Sequence, residues 1–461
     1  MRRLLVPLTF LLVLALAPAA SASRTQSLTF EGPKDFLNPA SRPGALDEIQ
    51  SLGARSLRVI VSWATVAPGS NQAERPAFEP TNPAAYNWGE YEALLADAKA
   101  RGWEVLVTIS GPVPKWATAA KRDNVTRPNP AAFAAFVTAL GRKFGDQINT
   151  WAIWNEPNQP QFLRPQYARG GQAESPKIYR ALYQAGVRGL AAAGQGDDKV
   201  LIAETSPRGN GSRIVPPLRF LRGMLCLDSK YKKRPQCGAL DPDGYAHHAY
   251  TTRQGPYFIP PAPASKDDVT IGVLSRLTKA LDRARAAGAL KKRLPLYLTE
   301  FGIQSTPDTQ SGVSLAKQVE YRAISERIAW SNPRVVAFSQ YLLRDSDPGA
   351  PGPQQYAGFE SGLKFADGRP KPSLPAFRLP LAVKKTGSRV SIWGLVRPTT
   401  GSTTATITYA DAGSSNFKTL RNVKTDSRGY FTVSSTWRKG RRWNVNWENF
   451  SGTPVGSYTG R

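Results

Sequence analysis

From residue 27 onward the chain alternates two hydrophobic rhythms. Short, nearly unbroken apolar runs predict strands over residues 28–30, 57–62, 105–110, 150–155, 200–204, 244–248, 296–300 and 335–341. Between several of them, apolar positions recurring close to every 3.6 residues predict helices over 91–101, 131–144, 178–193, 271–287 and 315–331. The links differ in length. Helix-to-strand links are brief and often open with a glycine, at Gly53, Gly102, Gly145 and Gly288, which suits a left-handed helix end. Strand-to-helix links are long, spanning 64–88, 111–128, 157–175, 205–243, 251–269 and 342–372. Eight such units predict an α/β fold, a (β/α)8 TIM barrel whose active site would sit on the strand-to-helix face. A doubly wound open sheet is the competing fold, but no GxGxxG or phosphate-binding loop follows the first strand.

The rhythm changes near Leu381. Beyond it helical periodicity disappears, and alternating segments such as Val390-Ser-Ile-Trp-Gly-Leu-Val and Thr404-Ala-Thr-Ile-Thr-Tyr, separated by Gly, Ser and Asn, predict a small antiparallel β-sandwich, Ig-like in kind. Residues 370–380 would end the barrel and link the two. At the other end, Arg2-Arg3, an apolar run from Leu4 to Ala17 and the Ala20-Ser21-Ala22 pattern read as a secretory signal peptide cut after Ala22. The run is shorter than the ~20 residues of a membrane span, and no other stretch is long and apolar enough to cross a bilayer. The expected layout is therefore a leader at 1–22, a barrel at 23–380 and a basic sandwich at 381–461 in an exported, extracellular protein.

Composition narrows the chemistry. The 461 residues include two His (His247, His248) and two Cys (Cys226, Cys237), too few soft ligands for a zinc cluster, an iron–sulfur centre or a HExxH protease. No metal or cofactor is expected. In an oxidising compartment Cys226 and Cys237 would close a short polar, basic loop as a local disulfide; two free thiols are the alternative. The balance of 61 basic against 34 acidic residues, a formal +27, favours anionic surroundings such as a cell wall or acidic glycan. The sandwich alone holds 13 basic and 3 acidic residues. No signature of a nucleic-acid-binding module is present, so nucleic acid is not an expected partner.

Carboxylates remain as the candidate chemistry. Strand four ends Trp151-Ala-Ile-Trp-Asn-Glu-Pro-Asn and strand seven ends Leu296-Tyr-Leu-Thr-Glu-Phe-Gly, which puts Asn155, Glu156 and Glu300 where apolar strands give way to the open face. An ionisable residue there avoids burial in the packed barrel. Two carboxyl groups facing one cleft are the equipment for glycosidic-bond hydrolysis; helix capping or pairing with Arg is the bland reading of each Glu alone.

In Trp154-Asn155-Glu156-Pro157-Asn158 and Thr299-Glu300-Phe301-Gly302, in that order, with Arg58 on strand two and His248-Ala-Tyr250 after strand six, the sequence resembles glycoside hydrolase clan A, the retaining TIM-barrel glycosidases that include families 5 and 39. The resemblance spans roughly residues 28–379. It implies that Glu156 is the acid/base and Glu300 the nucleophile, that Asn155 binds the sugar 2-hydroxyl, and that Arg58 and Tyr250 hold Glu300 ionised and so separate the two pKa values. By strand alternation His248 would face the site and His247 the packing. Trp63, Trp116 and Tyr341 are placed to stack on sugar, ahead of Trp154 and Phe301, with core packing an equally good reading of each. Strand eight carries Tyr341 where many clan members carry Trp. Glu204, ending strand five, would bind ligand or hydrogen-bond at the mouth, with a structural role close behind. The expected partner is a poly- or oligosaccharide substrate. A non-catalytic carbohydrate-binding or wall-associated protein on the same barrel is the alternative.

Overall fold

The computed structural model describes residues 23, 25–352, 354–356 and 358–460, so the expected leader lies outside the described residues. Eight parallel strands, β1 (Ser27–Glu31), β2 (Ser56–Ser62), β3 (Glu104–Ser110), β4 (Thr150–Ile153), β5 (Lys199–Thr205), β6 (Gly244–His248), β7 (Leu296–Glu300) and β8 (Val335–Tyr341), close in sequence order. Closure comes where β8 pairs with β1, Ser27 opposite Ala337 and Glu31 opposite Tyr341. Around them run α1 (Arg42–Ser51), α2 (Glu90–Ala100), α3 (Pro130–Phe144), α4 (Ser175–Ala192), α5 (Pro217–Met224), α6 (Leu274–Ala286), α7 (Leu315–Trp330) and α8 (Ser373–Arg378). The (β/α)8 barrel is thus complete, and the open-sheet alternative is excluded.

Local chemistry explains the element ends. Asn129 caps α3 by accepting from the amides of Ala131 and Ala132, with Pro130 in the first turn. Gly53, Gly102 and Gly288 adopt the expected left-handed conformation. Gly145 does not: its φ is −50°. Helices α1, α5 and α8 went unpredicted. Each is short, and α1 begins Arg-Pro-Gly, which masks the face formed by Ala45, Leu46 and Ile49.

Side-chain alternation divides the barrel. Leu57, Val59 and Val61 of β2 point outward into the helix-covered core, while Leu106, Ala152, Leu201 and Ala246 form a small inner cluster with Tyr297. Above that cluster the interior turns polar, with Arg58, Thr108, Ser110, Thr299 and Ser339 all buried. A barrel interior is normally filled by branched apolar side chains. Buried polar groups call for partners, and Thr108 accepts from Arg58 while Ser110 accepts from the Asn155 amide.

The C-terminal sandwich stacks two four-stranded sheets. One is ordered β13 (Tyr430–Thr436), β10 (Arg389–Leu395), β9 (Leu381–Thr386), β16 (Ser457–Tyr458); the other is β12 (Lys418–Lys424), β11 (Thr404–Ala410), β14 (Arg442–Trp447), β15 (Phe450–Ser451). Ile392, Ile407, Trp443 and Val445 fill its centre. Trp393, Leu395 and Tyr430 instead meet Ile324 and Trp330 of α7, so the sandwich is docked on the barrel through apolar contact. Buried charge reinforces that seam: Arg397 grips Glu326 of α7 at 2.6 and 3.0 Å, and Arg322 reaches the same carboxylate at 3.2 Å.

The Cys226–Cys237 disulfide is formed. The loop it closes has a second fastening, because Tyr231 is buried with the Arg283 guanidinium 4.0 Å from its ring centre.

Candidate active site

Arg58 organises the strand-end face. Alternation along β2 turns it inward, where it is buried and spends every N–H. Its Nε donates to Thr108 Oγ1 and Glu204 Oε1, both at 3.1 Å. One terminal nitrogen donates to Glu300 Oε1 at 2.7 Å and to Glu31; the other donates to Asn155 Oδ1 at 2.7 Å and Glu204 Oε2 at 2.8 Å. A single guanidinium thus positions residues from β1, β5, β7 and the end of β4.

Backbone geometry aims the β4 end. Trp154 and Glu156 have φ of 73° and 38°, and Ala203 and Glu204 have 90° and 44°, conformations costly for non-glycine residues. The two strand ends brace each other. The Glu156 amide donates to Glu204 O at 3.1 Å, and the Asn158 side chain bridges to Ser206 Oγ at 2.8 Å and Val215 O at 3.0 Å. Asn158 therefore fastens the loop after β4 to the loop after β5.

Glu156 and Glu300 meet across His248. One carboxylate oxygen from each and a His248 ring nitrogen lie within 4.8 Å of one another. His248 Nδ1 is 2.9 Å from Glu156 Oε1, and Tyr250 Oη donates to Glu300 Oε2 at 3.1 Å. These three are also the described residues whose atoms could reach one metal ion, but the Arg58 guanidinium beside Glu300 opposes a further positive charge.

Protonation follows from burial. Desolvation raises Glu156, against the pull of its His248 hydrogen bond, which favours the protonated acid. The expected opposite shift at Glu300 is not found. Burial raises it too, although Arg58 and Tyr250 work against that and favour the carboxylate. The largest rise falls on Glu31, pushed up to about 8 by burial and by the charges of Glu300 and Glu204, with Arg58 opposing. At Glu204 burial is outweighed by Arg58, leaving the carboxyl below its ordinary range. His247 is pushed down to about 4 by burial; it lies 2.9 Å from Thr205 Oγ1 and 2.8 Å from Val269 O, outside the constellation.

A cavity of about 280 Å3 opens over this constellation, with Glu31, Arg58, Asn155, Glu156, Glu300 and Tyr341 in its wall. Tyr341 and Phe359 meet edge to face at 4.8 Å and give it an aromatic side. Two expected sugar platforms are not there. Trp63 is fully buried and stacked on Phe136, because a short helical turn (Trp63–Val66) follows β2 and swings the indole outward into the helix layer. Trp116 packs edge-on against Trp63 and lines a separate groove with Pro128 and Ile178. Trp154 and Phe301 are buried as well. Glu204 is also fully buried, so its partner is Arg58 rather than ligand. Glu31 and Phe359 were missed. Glu31 ends its strand as Glu300 ends β7, and extending the first strand by one residue would have shown it.

No protein-family model matches the chain, and no curated protein matches it. Among solved structures, a glucosidase from Croceicoccus marinus aligns with a TM-score of 0.54 at 12% identity, over 92% of this chain and 97% of that one. The chain shares its fold with a glycosidase. The 92% span is too long to be met by the barrel alone, so the likeness extends into the sandwich. Further neighbours are the exo-β-1,4-mannosidase Op5Man5 from Opitutaceae bacterium strain TAV5 (17% identity, TM-score 0.46, 78% and 59% covered) and a β-glycosidase from Thermosphaera aggregans (14%, 0.46, 77% and 96%). The fold implied by the strand-four and strand-seven motifs is the fold observed.

Proposed function

We propose that the protein is an exported retaining glycoside hydrolase cleaving O-glycosidic bonds of an oligo- or polysaccharide. One observation carries this reading: an oxygen of Glu156 and an oxygen of Glu300 lie within 4.8 Å of each other. Retaining enzymes hold their carboxyl groups about 5–5.5 Å apart, whereas inverting ones need roughly 6.5–9.5 Å to seat a water.

Glu156 would give its proton to the glycosidic oxygen as a Glu300 oxygen bonds to the anomeric carbon and the alcohol departs. Glu156, now a carboxylate, would then take a proton from water as that water attacks the same carbon and frees Glu300. Asn155 accepts from Arg58 through its Oδ1, and its amide N–H groups would then donate to a sugar hydroxyl.

The test is hydrolysis of a broad panel of aryl glycosides and polysaccharides by wild type and Glu300→Ala, with the product anomer read by NMR. Wild type should turn over at least one substrate with retention, and Glu300→Ala should lose at least about 10^3-fold. Equal activity in both would remove Glu300 from its role. No activity on any substrate would favour the carbohydrate-binding alternative.

The basic sandwich extends the proposal: its surplus positive charge would hold the exported enzyme on an anionic wall polymer. Retention on cells should then fall steeply with added salt, and salt-independent retention would rule this out.

A further inference from the structure

The wall of the active-site cavity is unusually rich in carboxylates and short of cations. Glu31, Glu156 and Glu300 line it, and Glu204 lies directly behind. Among the described residues in the wall Arg58 is the sole cation, and all its N–H groups are already bonded within the protein. Of the three carboxylates that Arg58 holds, Glu31 alone has an oxygen to spare, since Glu204 and Glu300 each use both. Glu31 Oε2 accepts from Arg58, its Oε1 has no partner among the described residues, and its side chain is 5% exposed at the cavity wall beside Tyr341.

From this arrangement we infer that the site takes an uncharged sugar as the unit it cleaves, that Glu31 hydrogen-bonds a hydroxyl of that sugar, and that sugars bearing a carboxylate are excluded. The inference rests on the glycosidase reading and narrows it. A sugar carboxylate buried here would find no unpaired donor of positive charge and would face the Glu300 carboxylate, the costly case of an uncompensated buried ion. A hydroxyl has the opposite fit. The raised Glu31 keeps a carboxylic acid O–H to donate near neutral pH, and the same group accepts through its other lone pairs.

The experiment uses matched mechanism-based cyclitol epoxides in gluco, galacto and manno configuration, each with a neutral hydroxymethyl or a carboxylate, together with the xylo form that has neither. Labelling of Glu300 is followed by intact mass. At least one neutral cyclitol should label wild type, and about 100-fold faster than its carboxylate counterpart. A carboxylate form that labels as fast or faster overturns the inference and leaves the hydrolase reading standing. If no cyclitol labels and no aryl glycoside is turned over, the hydrolase reading fails and takes the inference with it.

Glu31 itself is tested by kcat/KM on parent and 3- or 4-deoxy aryl glycosides. Wild type should lose 10- to 100-fold when the contacted hydroxyl is removed, Glu31→Gln should retain much of that sensitivity, and Glu31→Ala should lose it. Equal sensitivity in wild type and Glu31→Ala would mean that Glu31 only holds Arg58. Should a variant not fold, the wild-type labelling ratio still decides the sugar class.

Discussion

Two buried charge clusters, one at the strand-end face and one at the seam with the sandwich, have inverted arithmetic. At the strand-end face one guanidinium, Arg58, serves three carboxylates, Glu31, Glu204 and Glu300. At the seam with the sandwich one carboxylate, Glu326, serves two guanidiniums, Arg322 and Arg397. At Glu326 burial is outweighed by its two partners and the carboxyl falls below its usual range, whereas Arg322 is pushed down to about 10 by burial. At Arg58 the surplus runs the other way, and burial with the charges of Glu300 and Glu204 pushes Glu31 up. The seam cluster fixes geometry, while the face cluster leaves carboxyl groups poised to exchange protons.

The largest expected effect separates the two clusters most sharply. Glu300→Gln should lower turnover of the best aryl glycoside by at least about 10^3-fold, while the melting temperature stays level or rises, because one surplus buried carboxylate is gone. A large fall in melting temperature would show that the face cluster is structural. Glu326→Gln should do the reverse. It strands two buried guanidiniums and should cost about 3–5 kcal/mol by denaturant titration, with activity per folded molecule unchanged; loss of turnover without loss of stability would erase the distinction.

Acidity gives the next contrast. Because Glu156 is raised and must donate a proton, the rate should hold below its pKa and fall as pH rises through it; Glu156→Gln should abolish that alkaline limb along with about 10^2–10^4-fold in rate for poor leaving groups. His247 should instead govern stability. Its folded pKa of about 4 lies below the ordinary 6.5, so the folded state binds fewer protons between those values. Its contribution is intact above pH ~6.5 and is lost as pH falls toward 4, on the order of 3 kcal/mol, a slope that His247→Gln should flatten in pH-dependent unfolding. The smallest effect belongs to Trp63→Phe, which should cost about 1–2 kcal/mol of stability and leave KM unmoved, since the indole is in the helix layer.

Strand positions were legible because eight apolar runs repeat the same alternation, and seven of the eight strand ends were placed within about one residue of those observed, the exception being β4, which stops at Ile153 rather than 155. Glu156 and Glu300 were legible for a related reason: a carboxyl group ending an apolar strand is less costly at the open face than in the packed barrel. What strand alternation could not foresee begins where the strand stops. Trp63 leaves its strand by a helical turn, and Glu204 turns inward through the positive φ values at Ala203 and Glu204. The burial of Trp116 depends on a partner, Trp63, more than fifty residues earlier. Glu31 escaped through a strand boundary drawn one residue short, and its surplus charge became visible only once three distant carboxylates were seen to share Arg58.

The grip of Arg428 on the start of the chain has a bearing on biogenesis. From the sandwich it donates to the carbonyls of Ser23, at 3.0 Å, and Gln26, at 2.6 Å, just ahead of the strand that closes the barrel against β8. The earliest part of the barrel to leave the ribosome is thus fastened by one of the last, so the native seam forms only when synthesis is nearly complete. Until β8 has followed, the first strand is an open edge in need of shielding.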